Sequence, residues 1–186
     1  MKRIIIVTGT PGTGKTTLAK KLAGRMKGSV LVSANDVIRK KGLFSSVSDD
    51  GAMVARMGAL EKEMKSEAAR SPGTVIIEGH LLCEFGIRGA VVIVVREHLR
   101  TLRERMRRRG YPAQKARDNL TSEAIGYCAS RARDSYSNVH EIMGGKGSTA
   151  RALRAISDRD AYAKEINLLG ELRLIIKEDS GFLGSV

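Results

Sequence analysis

Gly9, Gly14, Lys15 and Thr16 satisfy the spacing G-x-x-x-x-G-K-[ST] within the stretch Val7-Thr8-Gly9-Thr10-Pro11-Gly12-Thr13-Gly14-Lys15-Thr16-Thr17. An apolar run, Ile4 to Val7, precedes the motif and a helical pattern follows it, the strand-loop-helix context in which this spacing binds polyphosphate. Glycines allow positive φ and leave bare N–H groups facing phosphate oxygens, while the helix start adds unpaired donors and a positive dipole end. Lys15 is placed to reach the β- and γ-phosphates as a point charge. The Thr16 hydroxyl is placed to ligate Mg²⁺, and Thr17 to close the cradle near the α-phosphate. The alternative is a glycine-rich turn without a ligand, which leaves a lysine in need of another anion.

A second set of polar residues stands at the ends of other apolar runs. Thr74 to Ile77 leads into Glu78-Gly79-His80, which fits the acidic partner strand of a phosphate loop, with Glu78 holding Mg²⁺ directly or through water. His80 then orients a water or touches a phosphate, unless it is a turn histidine bonded to backbone. Arg96, Arg100, Arg103, Arg105, Arg107, Arg108 and Arg109 face only Glu97 and Glu104 in one predicted helix. Guanidinium forks at this density, Arg105 and Arg109 among them, suit closing over a triphosphate. Asn35 and Asp36 follow a short strand, where an α/β sheet binds ligands, and either face a second substrate or only cap a helix. Gly144 to Thr149 resembles a second phosphate motif, but His140 stands where the first glycine is required. That loop is read instead as passing the adenine, with Lys146 beside the base.

The elements that must position these residues follow from periodicity. Leu18, Leu22 and Met26 predict a helix from Lys15 to Lys27, stopped by Gly28. Val30 to Val32 is a strand, and Ser33 with Asp36 caps a helix over Val37 to Lys41. Gly42 to Asp50 reads as a mobile loop, and Met53 to Ala69 as an amphipathic helix. Ala90 to Val95 is a strand and Arg96 to Arg109 a helix ended by Gly110-Tyr111-Pro112. A charged loop to Asp118 precedes a helix running from about Asn119 to Asn138. Val139 to Met143 is a fifth strand, Ala150 to Tyr162 a closing helix, and Gly181 to Val186 a frayed end.

At 186 residues the chain suits one well-buried α/β domain. Thirty-three Lys and Arg against 20 Asp and Glu give a net charge of +13, which points to a polyanionic partner or to a solvated basic surface. Four Tyr, three Phe and no Trp argue against base-stacking platforms. Cys83 and Cys128 are far apart and outside any C-x-x-C pair, so neither a disulfide framework nor a zinc site is expected, and a reducing cytoplasm fits. No apolar run approaches the ~18 residues of a membrane span, and a soluble protein without a cleaved signal is expected.

With the loop Thr8 to Thr17, Arg109-Gly110-Tyr111, and Asp118-Asn119 followed by Glu123, the chain resembles the adenylate kinase isoenzyme 6 family over roughly Lys2 to Ile156. The resemblance implies an α/β phosphate-loop NTPase fold in a single domain over 1–186. Its five-stranded parallel sheet would carry helices on both faces, a monophosphate-binding flap near 30–53 and a short lid near 107–118. The tail, 164–186, has no counterpart. It further implies transfer of the ATP γ-phosphoryl to AMP or a related monophosphate, ATP hydrolysis, and a part in late small-ribosomal-subunit maturation through a ribosomal protein or rRNA. Gly12, Gly14, Lys15, Thr16 and Thr17 would bind the ATP phosphates and Arg109 would contact ATP from the lid. The family's usual Asp-x-His is here Glu78-Gly79-His80, one methylene longer. A kinase of a small hydroxyl substrate is a further reading, and would need Asp36 or Glu78 as base.

Overall fold

Runs of β-branched residues long enough to be buried on both faces pair here as a parallel sheet. The computed structural model describes residues 3–48, 51, 53–162 and 165–178. In chain order the elements are β1 (Ile4–Thr8), α1 (Lys15–Arg25), β2 (Val30–Ser33), α2 (Ala34–Lys40), β3 (Phe44–Val47), β4 (Met53–Ala55), α3 (Met57–Arg70) and β5 (Val75–Glu78). A 3-10 turn (His80–Cys83) leads to β6 (Ala90–Arg96), α4 (Leu99–Arg108), α5 (Ala113–Ala124), α6 (Tyr127–Ser135), β7 (Val139–Met143), α7 (Ser148–Ser157) and α8 (Leu169–Glu178).

The main sheet has the order β2-β5-β1-β6-β7, all neighbours parallel. Strands formed before and after the crossing lie on opposite sides of β1, so the chain order reverses beside its carboxyl end. That crevice is where open α/β sheets bind ligands. Alternation along each strand divides the core. Ile6, Ile77, Val92 and Val94 pack with Leu60, Met64 and Ala132 on one face. Ile5, Val7, Ile76, Ile93 and Val95 pack with Leu18, Leu22 and Ala152 on the other. Each such aliphatic side chain contributes roughly 1.5–3 kcal/mol on full burial. A third cluster, outside the sheet, joins Leu99, Leu102 and Met106 of α4 to Leu120 of α5 and Ile175 of α8.

Several boundaries differ from the expectations. Gly42 to Asp50 is not a plain loop: β3 pairs antiparallel with β4, Val47 opposite Met53, so the flap carries a hairpin and the helix expected from Met53 starts at Met57. Pairing across the ribbon satisfies backbone groups that a loop would leave to water. Asp49 and Asp50 lie outside the described residues. The charged segment before Asp118 is helical, because Pro112 (φ −52) presets the first turn of α5 and Gln114, Arg117 and Asp118 bond along its surface. Gly126 (φ 69) splits the expected long helix into α5 and α6. The helix of α2 begins earlier, with Ser33 Oγ accepting from the Asp36 amide at 3.4 Å. α7 occupies Ser148–Ser157 rather than Ala150 to Tyr162.

Part of the tail is ordered. α8 packs on α4 and α5, with Ile175 fully buried, while the expected fraying at Gly181 to Val186 lies outside the described residues. No described helix is long and apolar enough to cross a membrane.

Candidate active site

The stretch between β1 and α1 wraps as the glycine pattern requires. Gly9 has φ 137, and a Cβ there would lie 2.4 Å from the Val95 carbonyl oxygen of the neighbouring strand. Gly14 has φ 95 as it caps α1. Both positions exclude ordinary side chains. Thr13 ties the loop across itself, its Oγ1 donating to the Thr10 carbonyl at 2.9 Å. Lys15 Nζ reaches the same carbonyl at 3.3 Å.

Lys15 is buried, and that burial is the main reason its ammonium loses protons more readily than usual; Glu78 pulls the other way and Arg109 adds to the depression. A bound phosphate would raise the pKa again by placing an anion beside the ammonium. Thr16 Oγ1 donates to Glu78 Oε2 at 2.9 Å, joining the two residues expected to share a metal. Glu78 is the last residue of β5, paired with Ser33 of β2 and Val7 of β1. The described residues contain no cluster of three or more His, Cys, Asp or Glu fit for a metal. A cation here would therefore lean on phosphate oxygens and water, as Mg²⁺ does in nucleotide sites.

Two cavities flank the loop. The larger, about 670 Å³, is lined by Thr16, Asn35, Arg39, His80, Arg109 and Lys115 among others. Asn35 thus reaches the cleft. Asp36 is not among its lining residues; its carboxylate points to Arg39 at 3.8 Å on the exposed side of α2. His80 opens the 3-10 turn, and burial, reinforced by Lys15, lowers its pKa to about 4, so the ring is neutral at neutral pH. The smaller cavity, about 520 Å³, lies on the loop's other side between Thr17, Arg105, Arg109 and the Gly144 to Thr149 loop. Lys146 lines it, and Arg151 Nη2 holds that loop through the Met143 carbonyl at 2.6 Å. Arg109 borders both cavities.

The arginines divide by role. Arg105 Nη1 donates to the Gly12 carbonyl at 2.9 Å and pairs with Glu97 at 2.8 Å, bracing the loop from α4. Arg96 does not belong to that helix and does not close over a triphosphate. It ends β6, is 2% exposed, and is held between Glu123 (2.9 Å) and Glu141. Glu123 also accepts from the Thr10 hydroxyl and, at 2.9 Å, from the Glu97 amide. One carboxylate on α5 therefore anchors the phosphate loop to β6. Sequence reasoning assigned Glu123 no role, although an acid on the same helical stripe as Leu120 and Ala124 was the available signal. Arg39 and Lys115 were also not anticipated in the cleft; Lys115 stacks 5.4 Å over the Tyr111 ring.

Comparison with known proteins agrees with this geometry. Residues 5–126 match the family described as an AAA domain. Proteins named "putative adenylate kinase" are 36% identical over 161 residues in Methanothermobacter thermautotrophicus (83% of this chain, 85% of the relative) and 35% identical over 141 residues in Pyrococcus furiosus (75% and 73%). Among solved structures, a shikimate kinase from Acinetobacter baumannii superposes with a TM-score of 0.58 at 18% identity (86% and 96% covered). A gluconokinase from Sinorhizobium meliloti superposes with 0.55 at 16% (84% and 91%). At these identities the two structures establish the shared fold alone. The matched span carries the phosphate loop, Glu78 and the Arg109 turn, and the chain belongs to the family of archaeal putative adenylate kinases, within the AAA-domain phosphate-loop proteins.

Proposed function

We propose that this protein is a nucleoside monophosphate kinase that transfers the ATP γ-phosphoryl to AMP or a related monophosphate. The observation that carries this reading is one cavity in which the phosphate loop, Arg109 and the flap side, Asn35, Arg39 and Met53, meet. Its partner cavity beyond Gly12 suits the adenine and ribose of ATP, with Lys146 at the base end. The names of the archaeal relatives point the same way.

In this reading Gly12, Gly14, Lys15, Thr16 and Thr17 bind the ATP phosphates, and Arg109, standing between the cavities, neutralises charge on the moving phosphoryl. Arg105 serves the nucleotide indirectly by holding the Gly12 carbonyl. Asn35, with Asp36 steering Arg39, serves the monophosphate. Thr16 and Glu78 would hold Mg²⁺, directly or through water, and the bound ion would supply charge neutralisation to the phosphates. The acceptor is already ionised, so no strong base is required. Neutral His80 acts as a hydrogen-bonding group that orients water or a phosphate oxygen rather than as a charge.

A second reading keeps the same site with water as acceptor: an ATPase whose basic surface meets a small-subunit ribosomal protein or rRNA. The net charge of +13 favours it. Against it, Arg107 and Arg108 are already paired with Glu104, and Arg100 with Glu178, on the exposed side of α4. A coupled ADP assay with ATP and Mg²⁺ across AMP, CMP, GMP, UMP and no acceptor, with Lys15→Ala as blank, separates the two. A rate that does not rise with any monophosphate removes the kinase reading.

A further inference from the structure

Lys15, Arg39, Arg109 and Lys115 bring cations to the larger cavity, as a polyphosphate ligand requires. Among the described residues that line it, Glu84 is the only acid. A carboxylate in such a place repels phosphate. Its ion pair with Arg131, whose side chain is 44% exposed, contributes too little stability to account for that cost. Glu84 therefore suits a part of the ligand that is not phosphate. It follows the 3-10 turn that opens at His80, and four residues at that pitch displace it roughly 8 Å from His80.

The carboxylate is held in place from α6. Arg131 Nε donates to Glu84 Oε2 at 3.3 Å, and the other end of the guanidinium pairs with Asp134 at 3.3 Å. The Tyr136 hydroxyl donates to the Leu82 carbonyl at 2.9 Å, which fastens the turn to the same helix. Tyr127 lies four residues before Arg131 in α6, on the same face, and so stands on the Glu84 side of the cavity wall. Its side chain lines the cavity and is 41% exposed. An open aromatic face beside a fixed carboxylate is a stacking surface next to a hydrogen-bond acceptor, the two features that recognise a splayed base. Ile38 and Met53 add apolar surface to the cavity from the flap.

From this juxtaposition we propose that Glu84 determines specificity for the acceptor base, which stacks on Tyr127 and gives its exocyclic amine to the carboxylate. The inference rests on the kinase reading and narrows its substrate to monophosphates of amino-bearing bases. A carboxylate accepts hydrogen bonds and does not donate them. Adenine N6 and cytosine N4 are donors, whereas hypoxanthine and uracil carry a carbonyl oxygen at the same position and would set acceptor against acceptor. Desolvating two acceptors that cannot pair costs more than one bond contributes. Arg131 is a positioning residue, fixing the carboxylate without touching the base. Stacking is indifferent to the amine, so Tyr127 serves every base alike.

The test compares AMP with IMP and CMP with UMP, two pairs that differ only in an amine against a carbonyl oxygen. The full chain, its donor site filled with a non-hydrolysable ATP analogue and Mg²⁺, is titrated with each monophosphate by calorimetry, and acceptor KM and kcat are measured with ATP. AMP and CMP are expected to bind roughly tenfold more tightly than IMP and UMP. Glu84→Gln, whose amide both donates and accepts, should bring both ratios close to one. Arg131→Gln should lower them part of the way, acting on acceptor KM rather than kcat. Tyr127→Leu should weaken all four monophosphates by a similar factor and keep the ratios. Monophosphates that do not bind, wild-type ratios near one, ratios that survive Glu84→Gln, or affinities untouched by Tyr127→Leu each overturn the proposal. If no monophosphate raises turnover while the binding ratios hold, the kinase reading fails and the base preference stands.

Discussion

Thr16 Oγ1 and Glu78 Oε2 are hydrogen-bonded at 2.9 Å, so the first turn of α1 and the end of β5 share one polar contact before any cation is supplied. Both groups act on the same ion in the proposed mechanism, and their effects should not add. Glu78→Gln and Thr16→Ala are each expected to cost roughly 10–100-fold in ATP turnover and to raise the Mg²⁺ concentration for half-maximal rate. The double variant should lose little more than the worse single one. Turnover measured across a Mg²⁺ titration checks this, and strictly multiplicative losses would mean the two act separately.

Arg96 stands between two buried carboxylates, Glu123 and Glu141, each 1% exposed. Removing the arginine leaves Glu123 without its cation in the interior, while Glu141 keeps Arg133 at 2.6 Å. Arg96→Met is expected to destabilise by about 3–5 kcal/mol, read as a fall in urea midpoint. Glu123→Gln keeps the shape and loses only one charge, so it should fold and instead loosen the loop through Thr10, weakening ATP-analogue binding more than stability.

The start of α4 takes its cap from a distant segment. His98 at the N-cap makes no side-chain capping bond to the helix, while Glu171 of α8 accepts from the Leu99 amide at 2.8 Å and pairs with the His98 ring at 2.7 Å. Glu171→Ala should cost about 1 kcal/mol. Ile175→Ala, which opens the buried contact of the same helix, should cost about 2–5 kcal/mol. Thermal or urea unfolding orders the two; no loss in Glu171→Ala would mean that α8 contributes by packing alone.

His140 in β7 is fully buried, with no hydrogen-bond partner at either ring nitrogen among the described residues, and burial lowers its pKa from 6.5 while Asp158 and Asp160 oppose the shift. Its native pKa lies below the unfolded value, so the unfolded chain binds the extra proton first. Stability is therefore whole above about pH 6.5 and falls as the solution is acidified. His80, also depressed, contributes in the same direction. The urea midpoint of His140→Leu should fall less steeply between pH 7 and pH 5 than that of the wild type. An unchanged slope would refute the assignment.

Legibility followed the range of the interaction. Gly9, Gly14, Lys15 and Thr16 were readable because a contiguous loop carries its geometry in its own spacing, and the family resemblance they support holds. The five parallel strands were readable as apolar runs. The β3–β4 pairing was not, because it joins Phe44 to Ala55 across a stretch whose small and acidic residues read as loop. The start of α5 was missed because Lys115 and Arg117 suggest solvent as readily as a helix surface.

By itself the amino-acid order determined a polyphosphate loop, its strand and helix, and the acid at Glu78. It did so because backbone conformation and side-chain period are local properties. Only the tertiary structure decided that Arg96 is a buried counter-ion, that Glu123 anchors Thr10, and that Glu171 caps α4. These depend on which helix crosses which strand end, and an arginine reads alike in a sequence whether its partner is a buried carboxylate or water.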